Sequence, residues 1–355
     1  MSSPSHQGIL HQYVRLIFVS RKHLQLTAWQ APRLTAFEFT SNTPKPNAIL
    51  FIGGLTDGLG TVPYVAPLAK ALEPTDWSLF HLLLSSSYGG WGVGSLDQDV
   101  EEIAQCVKYV QERKPSGKVV IMGHSTGSQD VLHYLHTPNP VPQRPDEFQG
   151  RLKHLTRPEL DGAILQAPMS DREGLEAQLK ADEGTAMGNE ARAAFDQLVA
   201  FARQQPYTIG DYQQKLDALL PMNLTAKAGF PADTPLSARR FMSLASPDSP
   251  ENPAEDDLFS SDLTDQRLKE TFGVVAERGL LKTKMMFLYS GNDEYGAPWV
   301  DKAKLMQRWK EAANAGGVEK YDSEGSAVIP GASHNVKAEG QDELIARVTR
   351  YLTSL

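Results

Sequence analysis

Short apolar runs alternate with amphipathic stretches through the first half of the chain. Four runs are five to eight residues long and end at glycine, proline or polar residues, as buried strands do: 48–52, 77–84, 118–122 and 162–168. Between two of them, residues 99–113 place apolar side chains on one helical face. This alternation predicts a mostly parallel sheet with helices on both faces, an α/β fold.

The alternation of strand and helix patterns ends after the fourth apolar run. Residues 170–262 contain helical stretches, 171–180 and 189–205 among them, interrupted by seven prolines and without strand–helix alternation. The apolar run 284–290 then resumes the sheet pattern. We therefore expect residues 1–169 and 263–355 to form one α/β core and residues 170–262 to form a helical insertion.

One N-terminal segment fits this pattern badly. Residues 14–30 form a basic, apolar patch between the stretches 8–13 and 31–39. One interpretation is an extra β-hairpin with arms 15–19 and 24–29. The other is a translated intron, because Val14 and Gln30 permit codons that carry splice signals. Sequencing the mRNA that encodes residues 14–30 distinguishes the two interpretations. No candidate catalytic residue lies in this segment.

The composition of the chain limits the classes of function that it can have. With 355 residues, 41% of them apolar, the chain can bury a large core. Its 35 basic and 43 acidic residues give a net charge of −8, which argues against a nucleic-acid partner. The single cysteine, Cys106, excludes an intramolecular disulfide and is expected to be buried and inert. No membrane span or signal peptide is predicted, and a cytoplasmic location is expected.

The strongest chemical signal is the segment Gly123-His124-Ser125-Thr126-Gly127. It follows the apolar run 118–122 and precedes the helical stretch 128–136, which is the context of a nucleophile elbow. Glycine is required on both sides because the turn is too sharp for side chains there. Ser125 is therefore a candidate nucleophile, and the alternative is a tight turn without chemistry.

A serine nucleophile needs a base and an orienting acid, in the chain order Ser, acid, His for this type of elbow. After His154 the only histidine is His334, in a loop that follows a short strand pattern. Asp293 follows the apolar run 284–290 and is the predicted acid. Glu294 beside it and Asp171 after the earlier run 162–168 are the alternatives.

Glycine-rich loops supply candidates for the rest of the site. The N–H groups of Thr126 and Leu55 are the predicted oxyanion donors, and Gly54 lets the backbone approach the substrate closely. Tyr88 and Trp91, in another glycine-rich loop, are either an aromatic wall for substrate or packing anchors.

The same residues carry no sign of a cofactor. The glycine clusters match neither the P-loop nor the dinucleotide-binding fingerprint. His133 and His136 are three residues apart in the helical stretch, but the sequence shows no third metal ligand near them. We therefore predict neither a metal nor a cofactor.

Several motifs together carry a resemblance: residues 51–58, 88–92, 123–130, 165–172 and 329–335. The chain resembles, from about residue 31 to its end, a fungal family of intracellular α/β-hydrolases long labelled as a domain of unknown function. The resemblance implies an α/β-hydrolase fold with a helical cap over the serine. Matching motif by motif, it implies Ser125, Asp293 and His334 as a catalytic triad.

The resemblance also implies a substrate. Such a protein is expected to be a serine esterase that opens ester bonds of fusarinine-type hydroxamate siderophores and so releases iron inside the cell. The partner is then a small-molecule ester, with ferric ion present only as part of the substrate. A general carboxylesterase or lipase, and a non-catalytic binding protein on the same fold, are the alternatives.

Overall fold

The computed structural model describes residues 6–13, 34–39, 44–140, 156–204 and 218–355. Eight strands form one sheet in the order β1-β2-β4-β3-β5-β6-β7-β8. Their bounds are β1 Gly8–Gln12, β2 Thr35–Phe39, β3 Asn47–Ile52, β4 Trp77–Leu83, β5 Val119–His124, β6 Gly162–Gln166, β7 Met285–Ser290 and β8 Ala327–Ile329. β1 and β2 pair antiparallel, β2 also pairs antiparallel with β4, and the other pairings are parallel. The predicted mostly parallel sheet is confirmed.

The described residues also form helices, whose bounds are α1 Val65–Ala71, α2 Leu96–Arg113, α3 Thr126–His136, α4 Asp171–Ala181, α5 Ala186–Gln204, α6 Met222–Lys227, α7 Ala238–Ala245, α8 Asp265–Leu268, α9 Val275–Arg278, α10 Lys302–Asn314 and α11 Gln341–Ser354. A 3-10 helix spans Gly90–Val93 and a π-helical turn spans Lys269–Gly273. Within these ranges, no helix is long and apolar enough to span a membrane.

The core lies on both faces of the sheet, because successive strand residues point to opposite sides. Along β3, Ile49 and Phe51 pack in one apolar cluster with α1 and α11. Leu50 and Ile52 belong to the cluster on the other face, with α2, α3 and α10. Cys106 of α2 is fully buried there, and burial raises the pKa of its thiol, as expected for an inert cysteine.

The parallel register brings the carboxyl ends of the central strands to one edge of the sheet. Ile52 pairs with Gly123, His124 with Gln166, and Ser290 with Ile329. The loops that follow β3, β5, β7 and β8 therefore all leave the sheet at this edge. Ligand sites of parallel α/β sheets lie at this edge.

Helices α4 to α7 lie between β6 and β7 in the chain, within the predicted helical insertion 170–262. They enclose their own apolar cluster, which includes Leu198, Phe241 and Leu244. Trp91 belongs to the same cluster and Leu55 packs against it. The helical insertion thus contacts the loops that follow β3 and β4. The predicted hairpin or intron at residues 14–30 lies outside the described residues.

Candidate active site

Ser125 joins β5 to α3 in a backbone conformation that side chains rarely adopt, with φ 54° and ψ −124°. A Cβ atom on Gly123 would lie 2.0 Å from the Gly127 carbonyl oxygen, so the turn requires glycine. Its backbone is held by the Ser125 N–H, which donates to the Gln166 carbonyl at 3.0 Å. The structure therefore has the strained strand–helix turn of a nucleophile elbow, with a partly exposed serine at its apex.

Asp293 and His334 meet at the same edge of the sheet. Asp293 follows β7 and His334 follows β8, and the distance from His334 Nδ1 to Asp293 Oδ2 is 2.8 Å. The two residues are 8% and 5% exposed, so water does not compete for this contact. With Nδ1 donating to the carboxylate, Nε2 of the imidazole is left to accept a proton.

His124 connects the elbow to the loop that carries His334. Its ring centroid lies 5.0 Å from that of His334, and its Nε2 lies 2.9 Å from Asn335 Oδ1. Its Nδ1 contacts Gln166 Oε1. Burial, and secondarily the neighbouring His334, lower the pKa of His124 to about 4, so this ring stays neutral at pH 7. The residue directly before Ser125 is therefore in ring contact with the candidate base.

The two alternative acids have other contacts. Glu294 Oε2 accepts a hydrogen bond from the His334 backbone N–H at 2.7 Å. Asp171 Oδ2 accepts one from Gln129 Nε2 at 2.6 Å, and burial followed by the Asp256 carboxylate raises its pKa to about 7. Asp293 is thus the carboxylate that bonds the imidazole, whereas Glu294 holds the backbone beside it.

The loop after β3 passes directly over the elbow. A Cβ atom on Gly54 would lie 2.6 Å from Ser125 Cβ and 3.1 Å from Ser125 Oγ. Asp57 closes this loop, since its Oδ2 accepts from the Gly54 N–H at 2.9 Å. Leu55 follows Gly54, and Thr126 is the first residue of α3. Thr126 is thus next to Ser125 in the chain, and Leu55 follows the glycine that lies against Ser125. The role of their N–H groups as oxyanion donors stays a prediction.

The two predicted aromatic contacts occupy different environments. Tyr88 is 50% exposed, and its hydroxyl accepts from the Leu59 N–H at 3.0 Å, so it links two loops at this edge. Trp91 is only 2% exposed and its ring lies 6.4 Å from that of Phe230, inside the cluster of the helical insertion. Trp91 is a packing residue in this structure, and substrate contact by either ring stays a prediction.

Sequence reasoning missed Tyr295. Its ring lies edge-on to His334, with a centroid distance of 5.0 Å and an interplanar angle of 89°. The side chain is 57% exposed, in contrast to the buried histidine beneath it. Its position two residues after Asp293 was the available signal, because that turn was already assigned to the site.

The described residues also bring Asp97 and Glu255 to His133, which the sequence left without a third ligand. Their possible ligand atoms lie within 4.8 Å of one another. His133 Nε2 is 2.7 Å from Asp97 Oδ1, while its Nδ1 is buried without a partner. Histidine ligands almost always donate from their other nitrogen, so a hydrogen-bonded pair explains this cluster better than a metal centre does.

A strand–helix elbow with serine at its apex, whose preceding residue His124 contacts a buried histidine–aspartate pair at the carboxyl edge of a mostly parallel sheet, is the arrangement of an α/β-hydrolase. The chain belongs to the family described as "Protein of unknown function (DUF1749)", which matches residues 1–353. It is 49% identical to the fusarinine C esterase SidJ of Aspergillus fumigatus, over 98% of this chain and 96% of that protein. It is also 43% identical to Esterase AN6793 of Emericella nidulans, over 98% and 92% of the two chains.

Solved structures agree with this assignment. The siderophore hydrolase EstB from Aspergillus fumigatus has a TM-score of 0.81 and 45% identity, covering 99% of this chain and 98% of that one. A protein titled as an α/β-hydrolase fold of unknown function has a TM-score of 0.52 at 15% identity, covering 100% and 97%, and shows the fold alone. The predicted family and fold are confirmed, and the chain is an esterase of the α/β-hydrolase fold.

Proposed function

We propose that this protein is a serine esterase that hydrolyses the ester bonds of fusarinine-type siderophores through an acyl-enzyme. The observation that carries the proposal is the 2.8 Å contact between His334 Nδ1 and Asp293 Oδ2 beside the elbow of Ser125. A hydroxyl is a weak nucleophile until a base takes its proton, and this pair provides an oriented base. The helical insertion acts as a cap, which its packing against Leu55 and Trp91 supports.

The reaction proceeds in two acyl transfers. Ser125 Oγ attacks the ester carbonyl carbon while its proton passes to His334 Nε2, and the N–H groups of Leu55 and Thr126 bind the oxyanion. The C–O bond to the alcohol then breaks, and the alcohol leaves with the proton from His334. Water, deprotonated by His334, next attacks the acyl-enzyme, which releases the carboxylic acid and restores Ser125. Asp293 stabilises the imidazolium in both halves.

The substrate class comes from the relatives. One is named for the hydrolysis of fusarinine C and another for siderophore hydrolysis, at 49% and 45% identity across nearly the whole chain. Ferric ion enters only as part of the substrate, and cleavage of the ester bonds converts one multidentate ligand into separate weaker ones. The cytoplasm is the proposed site of action, which the single buried thiol of Cys106 supports.

Ser125→Ala tests the proposal. We expect it to lower kcat by several orders of magnitude, roughly 10⁴-fold or more as in other triad knockouts, on ferric fusarinine C and on p-nitrophenyl acetate. Products are identified by mass spectrometry, and fluorophosphonate labelling checks the nucleophile directly. Ser116→Ala, an exposed serine before β5, is the matched control. A Ser125→Ala protein with wild-type turnover refutes the mechanism.

A further inference from the structure

Three aromatic side chains are strongly exposed among the described residues, and all three occupy one edge of the sheet. Tyr88, Tyr295 and Trp299 are 50%, 57% and 44% exposed. Tyr88 lies in the loop after β4, and the other two lie in the loop between β7 and α10. This is the edge that carries Ser125 and His334. Large aromatic surfaces left open to water at one place are a common feature of binding sites.

Tyr295 covers the candidate base. Its ring meets the His334 imidazole edge-on at 5.0 Å, while the imidazole itself is only 5% exposed. The backbone of Tyr295 is fixed, because its N–H donates to Asp293 Oδ1 at 3.0 Å. On its other side, a Cβ atom on Gly174 of α4 would lie 2.9 Å from the Tyr295 carbonyl oxygen. The exposed ring is therefore carried by a rigid turn wedged against α4.

Trp299 is exposed but held in place. Its Nε1 donates to Glu173 Oε1 at 3.1 Å, and Lys180 Nζ lies 4.5 Å from its ring centroid. Glu173 is itself buried at 4% exposure and accepts the Ser261 N–H at 2.9 Å. A side chain immobilised before binding loses little entropy when a ligand covers it. Such a pre-ordered indole resembles a binding anchor more than a free surface residue.

Both residues lie against the first turn of α4. The backbone carbonyl of Tyr295 lies against Gly174, while the Trp299 ring contacts Glu173 in the same turn and Lys180 near the helix end. Glu173 and Lys180 are seven residues apart, about 10 Å along the helix, so the contacts of Trp299 extend along α4 while the Tyr295 ring lies against His334. We name Tyr295 and Trp299 the aromatic rim.

We propose that the aromatic rim binds the part of a large ester substrate that extends beyond the scissile bond, and so selects large siderophore esters over small esters. The inference rests on the proposed function, since it needs an ester positioned at Ser125. A short acyl ester needs only the space next to Ser125 and His334, whereas the contacts of Trp299 described above are with Glu173 and Lys180 of α4. A siderophore with several long arms must place its uncleaved arms elsewhere, and the rim offers them planar apolar faces.

The test compares two substrates across rim variants. The variants are Trp299→Ala, Trp299→Phe and Tyr295→Phe, and the substrates are ferric fusarinine C and p-nitrophenyl acetate. We expect Trp299→Ala to lower kcat/KM about five- to tenfold on ferric fusarinine C, mainly through KM, and to leave p-nitrophenyl acetate unchanged. Trp299→Phe and Tyr295→Phe keep an aromatic face and are expected to retain most of the siderophore activity.

Val318→Ala is the matched control, since Val318 is 52% exposed and precedes β8 at the opposite edge. Thermal melting shows whether each variant is folded. If Trp299→Ala does not fold, Trp299→Gln takes its place, because its amide can still donate to Glu173 but offers no aromatic face. Equal losses on both substrates, or no loss on either, overturn the proposal. A wild-type enzyme that leaves fusarinine C intact refutes the proposed substrate instead. In that case the aromatic rim is tested by comparing the loss of kcat/KM on p-nitrophenyl dodecanoate, as the large ester, with the loss on p-nitrophenyl acetate.

Discussion

Gly54→Ala tests whether the loop after β3 forms part of the catalytic site. The new Cβ would lie 2.6 Å from Ser125 Cβ and 3.1 Å from both Ser125 Oγ and the His124 carbonyl oxygen. Carbon atoms pack at about 3.5–4.0 Å, so the loop or the serine must move by about 1 Å. A displacement of that size at reacting groups can cost about 100-fold in rate. We therefore expect kcat on p-nitrophenyl acetate to fall by about two orders of magnitude.

The same substitution is expected to cost only about 1–3 kcal/mol of folding stability, as overpacking usually does. The assay combines steady-state kinetics, active-site titration by the burst of p-nitrophenol, and thermal melting. Gly316→Ala is the control, because a Cβ atom at Gly316 meets nothing within 4 Å. A folded Gly54→Ala enzyme with more than half of the wild-type kcat would show that the loop does not approach the reacting serine.

Further expectations concern the acids and one buried histidine. Asp293→Asn should lower kcat by about 10⁴-fold, whereas Asp171→Asn should stay within about threefold; comparable losses would reopen the choice of acid. Glu294→Gln weakens the bond to the His334 N–H and should lower kcat about tenfold with unchanged KM and melting temperature; an unchanged kcat contradicts this. Burial lowers the pKa of His81 to about 4, so stability falls as pH drops from about 6.5 towards 4. The free energy of unfolding, measured in urea at pH 7 and pH 5, should differ less between the two pH values in His81→Phe than in the wild type. An equal difference in the two proteins would show that His81 does not cause this pH dependence.

The elbow illustrates how much local sequence predicts. The run 118–122, the two glycines and the following helical stretch predicted a strand, a sharp turn and a helix, and the structure has β5, Ser125 and α3 there. Backbone sterics over a dozen residues favour these features, and contacts with Gln166 and with Ile52 of β3 then hold the turn in place. Only the start of the helix differs, because Thr126 and Gly127 are already helical.

Local sequence does not by itself decide which carboxylate bonds His334. Asp293, Glu294 and Asp171 all follow strands that end at the same edge. The strand and the glycines around Asp293 favoured it, but the sequence left Glu294 and Asp171 open as alternatives. The separation comes from side-chain direction: Asp293 bonds the ring of His334, Glu294 bonds its backbone, and Asp171 bonds Gln129. Adjacent residues in a turn can point to different targets, and only their three-dimensional neighbours decide which one reaches the imidazole.

Trp91 and Tyr295 show the same limit for aromatic side chains. The glycine-rich loop left two alternatives for Trp91, an aromatic wall or a packing anchor, and in the structure the ring is buried against the helical insertion. Tyr295 was not singled out, although its ring contacts His334. Burial depends on what the rest of the chain places over a loop, so an aromatic residue in a turn carries little information about its own exposure.

The sequence by itself determined the strand–helix alternation of residues 48–168 and the return of the sheet at 284–290. It also determined the elbow, the identity of the candidate base and the family to which the chain belongs. These properties can be read from short segments or motifs, because they depend on local residue types and not on how the chain folds around them. Only the tertiary structure decided which carboxylate meets His334, that His124 connects the elbow to its loop, and that Tyr295 and Trp299 stay exposed. Those contacts join residues up to 211 positions apart, and their geometry exists only once the sheet is assembled and the helices have packed on it.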